Sequence, residues 1–153
     1  MTSETYHYTE SGLDDVYLAN GYDFVETEAG TSVRIHDIDG LHDAIARFLI
    51  CERKVLSGME IRFLRHEMLM SQNTLAHILD VTEQTVRRWE QDKQPIPRSA
   101  DAILRKLYFE RDSDTSKLTE ILQRIADIED EADRNVCFEK NPQSEWDVLA
   151  QAA

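Results

Sequence analysis

No apolar run in these 153 residues approaches the ~20 needed for a membrane helix, which excludes a helical membrane span. Cysteine is scarce: Cys51 and Cys137 stand far apart without CxxC spacing. Neither a paired-thiolate zinc site nor a thioredoxin-like redox pair is therefore encoded. Both cysteines are expected to be reduced packing residues. With only five glycines there is no phosphate-cradling loop, and no nucleophile elbow occurs, so no enzyme is expected. Nothing places Cys51 beside a histidine as a thiol nucleophile. The letters His36-Asp37-Ile38-Asp39…His42 match no metal-ligand spacing, and a strand running into a helix cap accounts for them. No cofactor or metal is expected. Basic residues are also few: 17 Lys and Arg face 30 Asp and Glu, a net charge of −13 with pI ≈ 4.7. That balance excludes indiscriminate coating of nucleic acid. The opening MTSETYHYTE has neither the basic nor the apolar part of a signal peptide, so a cytoplasmic protein is expected.

Hydrophobic residues at 41% and charged residues at 31% fit a globular chain. The charge is unevenly spread. Residues 1–52 hold two Lys/Arg against eleven Asp/Glu, a balance of −9, and residues 112–153 stand at −7. Between them, residues 53–111 stand at +3, the only basic stretch. Three regions follow: an acidic N-terminal unit (1–54), a central unit (55–111) and an acidic C-terminal unit (112–153).

In the first unit, YHYTESGLDDVYLANGYDFVE mixes aromatic and β-branched residues with turn signals at Ser11-Gly12 and Asn20-Gly21. Short antiparallel strands are predicted, with Val33 and Ile35 of TSVRIHDID continuing the sheet. Asp39 can cap a helix carrying Leu41, Ala44, Ile45, Phe48 and Leu49 at helical spacing. Next, Ser57 and Glu60 form a capping-box pattern before Ile61, Leu64, Met68 and Leu69. Ser71 caps a helix from Gln72 to Leu79, and Thr82 caps another to about Gln91. Pro95 and Pro97 then force an extended connection, followed by a helix from Ala100 to Glu110. After the polar break Asp112–Ser116, a helix from Leu118 to about Arg134 is predicted. Its apolar stripe is Leu118, Ile121, Leu122, Ile125 and Ile128; its other face is acidic. VCFEK, NPQS and EWDVL read as a C-terminal hairpin or tail. The fold class expected is mainly α with a small α+β N-terminal region, a five-helix central domain, and a C-terminal helix plus hairpin or tail.

Within SQNTLAHILDVTEQTVRRWE the residue types fit a helix-turn-helix. Ala76 is small where a second helix must cross closely, and Leu75, Leu79, Val81, Val86 and Trp89 supply the core that locks the pair. Asp80 takes the corner position that commonly prefers glycine, being among the few residues that tolerate left-handed backbone. On the second helix Val86 and Trp89 define the inward direction, so Gln84, Arg88 and Gln91 point outward with Arg87 on a flank. Glutamine suits the exposed edge of adenine and arginine that of guanine. Gln84 and Arg88 are therefore the expected base readers, and Arg87 a phosphate or second base contact. Gln72 and Asn73 open the preceding helix, where free amides favour phosphate. Thr82, Thr85, Lys93 and Arg98 are further candidate phosphate contacts. The alternative is that Arg87 and Arg88 merely solvate the helix by pairing with Glu83, Glu90 or Asp92.

This segment is similar to the Xre/Cro-type helix-turn-helix superfamily. Taken with YHYTESGLDDVYLANGY, IHDIDGLHDAIARFLI, LSGMEIRFLRHEMLMSQ and RRWE…PIP…ADAILRKLY, it resembles the MqsA/YgiT-type antitoxin–regulators over roughly residues 6–110. The resemblance implies a transcriptional repressor that dimerises on a palindromic operator of double-stranded DNA and neutralises a neighbouring toxin as the antitoxin of a type II pair. Base reading falls on Gln84 and Arg88 in that resemblance as well. Relatives with a zinc site use paired CxxC motifs; here Ser11 stands where a cysteine is expected, so no zinc is implied. The acidic flanks can serve a basic toxin partner. The Leu118–Ile128 stripe either packs on the chain's own helices or forms a homodimer seam. Two alternatives remain: a stand-alone regulator without a toxin, and an acidic interaction protein that sequesters a basic partner.

Overall fold

The structure, a computed structural model, describes residues 5–111, 117–128, 138–140, 142–143 and 146–148. It is mainly helical with small antiparallel hairpins. β1 (Tyr6–His7) pairs with β2 (Tyr17–Leu18), and β3 (Tyr22–Thr27) pairs with β4 (Gly30–Ile35) from Tyr22↔Ile35 to Thr27↔Gly30. The turns differ from expectation. Asn20-Gly21 links β2 to β3, yet those strands do not pair with each other. The tight hairpin turn is Glu28-Ala29, and the positive φ it needs comes from Gly30 (φ 118) just after it. Glu-Ala is not a turn-forming pair, so the one local signal for this turn is Gly30.

α1 (Ile38–Glu52) starts earlier than predicted. Asp37, not Asp39, is the N-cap, its carboxylate accepting the Gly40 amide at 3.2 Å. Asp39 lies instead in the first turn, where a carboxylate favours the positive helix end. Ile45, Ala46, Leu49 and Ile50 are buried, while Phe48 turns outward beneath the Arg53 guanidinium, 5.1 Å from its ring centre. Cys51, expected as a packing residue, is exposed, because it sits one position beyond that inward face.

α2 (Gly58–Glu67) carries the predicted capping box: Ser57 accepts the Glu60 amide and Glu60 accepts the Ser57 amide. α3 (Gln72–Ile78) and α4 (Glu83–Glu90) are capped by Ser71 and Thr82 as expected. Pro95 and Pro97 are exposed around buried Ile96, which anchors the extended connection. α5 (Arg98–Glu110) begins directly after Pro97, two residues before the predicted start. α6 (Lys117–Asp127) packs on α3 and α5. Residues 55–111 thus hold four helices, and the expected five are reached only with α6. Leu122 of the predicted stripe packs on the core, whereas Ile125 and Ile128 are exposed. β5 (Phe138–Lys140) pairs with β6 (Trp146–Val148), so of the two expected forms, hairpin or tail, the hairpin is the one present. The polar break at 112–116, the acidic run at 129–134 and Cys137 lie outside the described residues.

One buried cluster runs from Tyr8 to Tyr108, so the N-terminal unit and the helices after it share a core. Polar ties reinforce the junction. Arg105 of α5 donates to the carbonyls of Ile50 (2.9 Å) and Arg53 (2.7 Å), filling acceptors that the α1 C-terminus leaves open. Asp101 accepts the Leu56 amide at 3.2 Å. Tyr108 donates to Asp43 at 2.8 Å, and the Arg111 guanidinium lies 4.1 Å over the Tyr108 ring.

Candidate nucleic-acid interface

Three consecutive helices end in the same way. After α2, α3 and α4 the chain enters left-handed backbone at Leu69 (φ 56), Asp80 (φ 55) and Asp92 (φ 56). In each case the amides of that residue and of the next one close back on the last turn. Asp80 and Val81 donate to the carbonyls of His77 (3.2 Å) and Ala76 (2.9 Å), the pattern of a Schellman cap. Such caps turn the chain sharply and leave few open carbonyls, so α3 and α4 are joined by only four residues. Asp80 adopts the conformation predicted for it.

The packing between these helices also follows the sequence. Leu75 and Val86 are wholly buried, Trp89 and Ala76 nearly so, and Leu79 and Val81 half-buried against the cluster. Ile78 joins them, a position that the residue pattern did not single out. Beneath α4 lies a buried ion pair. Arg65 of α2 grips Glu90 with two bonds (2.8 and 2.9 Å) and donates a third to the Met70 carbonyl (2.9 Å). Both side chains are almost fully shielded from water, and the two-pronged geometry satisfies both. At its C-terminal end α4 meets the start of α2. Asp92 accepts the Gly58 amide at 2.8 Å, and a Cβ on Gly58 would stand 2.4 Å from the Glu90 carbonyl oxygen. Only glycine permits that approach.

With Val86, Trp89 and Glu90 committed inward, α4 turns Gln84, Arg87, Arg88 and Gln91 to solvent. Gln84 and Arg88 are one turn apart and have no side-chain partner among the described residues. Arg87 lies 3.6 Å from Glu83, a loose pairing of exposed groups that contributes little. The alternative pairings of these arginines with Glu90 and Asp92 do not form, because Arg65 and Gly58 hold those carboxylates.

Other candidate residues are less free. Gln72 donates to Glu90 at 3.3 Å, and Asn73 to Glu83 at 3.4 Å. The Thr82 hydroxyl caps α4 and lies 2.8 Å from the Thr85 hydroxyl. Lys93 follows the α4 cap, exposed and without an ion-pair partner among the described residues, while Arg98 opens α5 beside Lys54, Val55 and Ile96. The structure therefore gathers Gln84, Arg87, Arg88 and Lys93 on and just after one helix.

Among the described residues, ion pairs engage more than half of the cations of this segment. Arg53 pairs with Asp15 and Glu60, Arg105 with Asp101, and Lys106 with Glu110. Lys54, Arg62, Arg88, Lys93 and Arg98 have no carboxylate in ion-pair reach among the described residues. Arg62 and His66 are exposed on α2 at i and i+4, and neither was expected at this site. Burial, aided by the charges of Arg65 and Arg62, holds the His66 imidazole below its ordinary pKa. Among the described residues no cluster of histidine, cysteine and carboxylate fits a metal. His36 instead pairs with Asp23 at 2.5 Å, and His42 bridges the Tyr8 hydroxyl (2.7 Å) and Glu67 (2.8 Å). No described helix is long and apolar enough to cross a membrane. No family model matches the chain, and neither the curated proteins nor the solved structures contain a match.

Proposed function

We propose that this chain is a sequence-specific, double-stranded-DNA-binding transcriptional repressor that reads a palindromic operator as a homodimer. In this reading α3 and α4 form a helix-turn-helix and α4 enters the major groove. One observation carries it: Gln84 and Arg88 stand a turn apart, exposed and without a side-chain partner among the described residues, on a helix whose opposite face is sealed by Val86, Trp89 and Glu90. Their side chains match the exposed edges of adenine and guanine. The acidic flanks repel stray duplex, which leaves affinity to the reading helix. The resemblance to antitoxin–regulators extends the proposal to autoregulation of an operon that also encodes a basic toxin. A small basic protein in the adjacent reading frame separates that role from a stand-alone regulator.

Selection from a random duplex pool tests the proposal. The wild type should enrich one motif with two half-sites about 34 Å apart. Arg88→Ala should lose about 1–3 kcal/mol at one position of each half-site and relax the preference there. Enrichment of the same motif by the variant, with unchanged affinity, contradicts the assignment.

A second reading, an acidic protein that sequesters a basic partner, is favoured by a separate observation. Tyr17, Ile38 and Phe48 are exposed on the unit that carries −9. Under this reading no duplex is bound tightly at physiological salt, and a basic protein co-purifies from the native host.

A further inference from the structure

Arg62 and His66 stand one turn apart on the outer face of α2, the arginine Nε 3.4 Å from the imidazole Nε2. Across an open hollow of about 470 Å³ they face Arg87 of α4, with Ser71, Gln72 and Gln91 completing the lining. Two carboxylates border the hollow, and both are engaged: Glu90 by Arg65, and Glu83 by Asn73 and loosely by Arg87. Arg62 has no carboxylate partner among the described residues. The hollow flanks α4 on the side of Arg87 and Gln91, which border the face holding Gln84 and Arg88. A second hollow on the far side of Arg62 and His66 contains Glu10 and Glu67, so its charge disfavours an anion.

We infer that Arg62, His66 and Arg87 seat a backbone phosphate of the DNA duplex beside the groove that α4 reads. This rests on the DNA-binding reading above and adds a contact from α2. When a helix lies in the major groove, the sugar–phosphate walls run along its flanks, so cations placed there meet phosphate rather than bases. Guanidinium–phosphate bonds are charge-assisted and position the protein without reading sequence.

His66 makes the contact sensitive to pH. Its surroundings are Arg62, Arg65 and Glu67 on its own helix, Arg87 and Glu90 on α4, and Glu10 and His42 across the second hollow. Without DNA, burial and the two α2 guanidiniums favour the neutral imidazole. A phosphate favours the imidazolium, so binding takes up a proton. Affinity then rises as pH falls through the interval between the free and the phosphate-bound pKa of His66.

Anisotropy titrations of the full chain against its selected duplex, over a salt series at about pH 6 and about pH 8, test this. Arg62→Gln should weaken binding to all duplexes about three- to tenfold and lower the slope of log K against log salt by about one. Its base preference should not change. His66→Gln should match the wild type at the higher pH and lose the gain in affinity at the lower one. Arg34→Gln, which removes an exposed cation from the N-terminal unit, should leave the slope unaltered, and Arg62→Lys should preserve it. Thermal midpoints establish that each variant is folded. A wild-type slope in folded Arg62→Gln overturns the phosphate seat alone. A wild type that binds no duplex overturns the DNA-binding reading, and this inference with it. Inorganic phosphate binding that depends on Arg62, beside an unchanged DNA slope, assigns the site to a free anion and also overturns it.

Discussion

Two residues show how backbone geometry positions α4. Gly58 lies so close to the last carbonyls of α4 that a methyl group there must push the helices apart. Gly58→Ala should destabilise the fold by about 1–3 kcal/mol or more, read as a lower thermal midpoint, because the obstacle is backbone and cannot rotate away. A midpoint equal to the wild type's would show that α2 and α4 are not held this tightly. Leu69 is the opposite case. It is 93% exposed and held at φ 56, so its side chain gains little while its backbone is strained. Leu69→Gly should stabilise by about 1 kcal/mol in chemical denaturation, and a loss of stability would refute the strain. Asp80 was legible at this scale because the motif itself demanded a corner residue that tolerates left-handed backbone. Leu69 was not: leucine carries no such signal, and its apolar character placed it on the α2 stripe.

Between elements, ion pairs far apart in sequence orient α4 and fasten α1. Glu90→Ala leaves the Arg65 guanidinium buried without its carboxylate and should cost about 3–5 kcal/mol in stability. The double variant Arg65→Met, Glu90→Leu should recover most of that loss. Failure to recover would mean that the pair does more than satisfy itself. Asp43 fastens α1 to the end of α5. The Tyr108 hydroxyl, then Arg47 and Arg111, hold its carboxyl below the ordinary value of 3.8. A depressed carboxyl pKa confers stability in full above the ordinary range and loses it as pH falls through the folded value. The difference in thermal midpoint between wild type and Asp43→Asn should therefore be constant near neutral pH and narrow as the pH falls below 3.8. A gap that persists in acid would assign the effect to packing instead. Caps at Ser57, Ser71 and Thr82 were readable because each is a local pattern of three or four residues. The Arg65–Glu90 bond spans 25 residues and has no periodic trace. Asp37 was overlooked for a different reason, since two aspartates within three positions offer the same cap and only the entering strand chooses between them.

For the whole molecule, charge and shape divide the labour. The chain carries −13 overall, yet its central segment stands at +3 and holds Lys54, Arg62, Arg88, Lys93 and Arg98 with no carboxylate in ion-pair reach among the described residues. The inward and outward faces of α4 were legible from Val86 and Trp89, whereas the flank formed by Arg62 and His66 was not. Those two belong to a different helix, and only packing brings them beside Arg87. If α4 reads bases as proposed, preference among duplexes comes from Gln84 and Arg88, while phosphate contacts add affinity without preference. Anisotropy with a selected duplex and a scrambled duplex of equal length, at about 0.15 M salt, compares the two directly. A preference of about a thousandfold or more for the selected site is expected, reduced in Arg88→Ala. Equal affinities for the two duplexes, vanishing together as salt is raised, would contradict it.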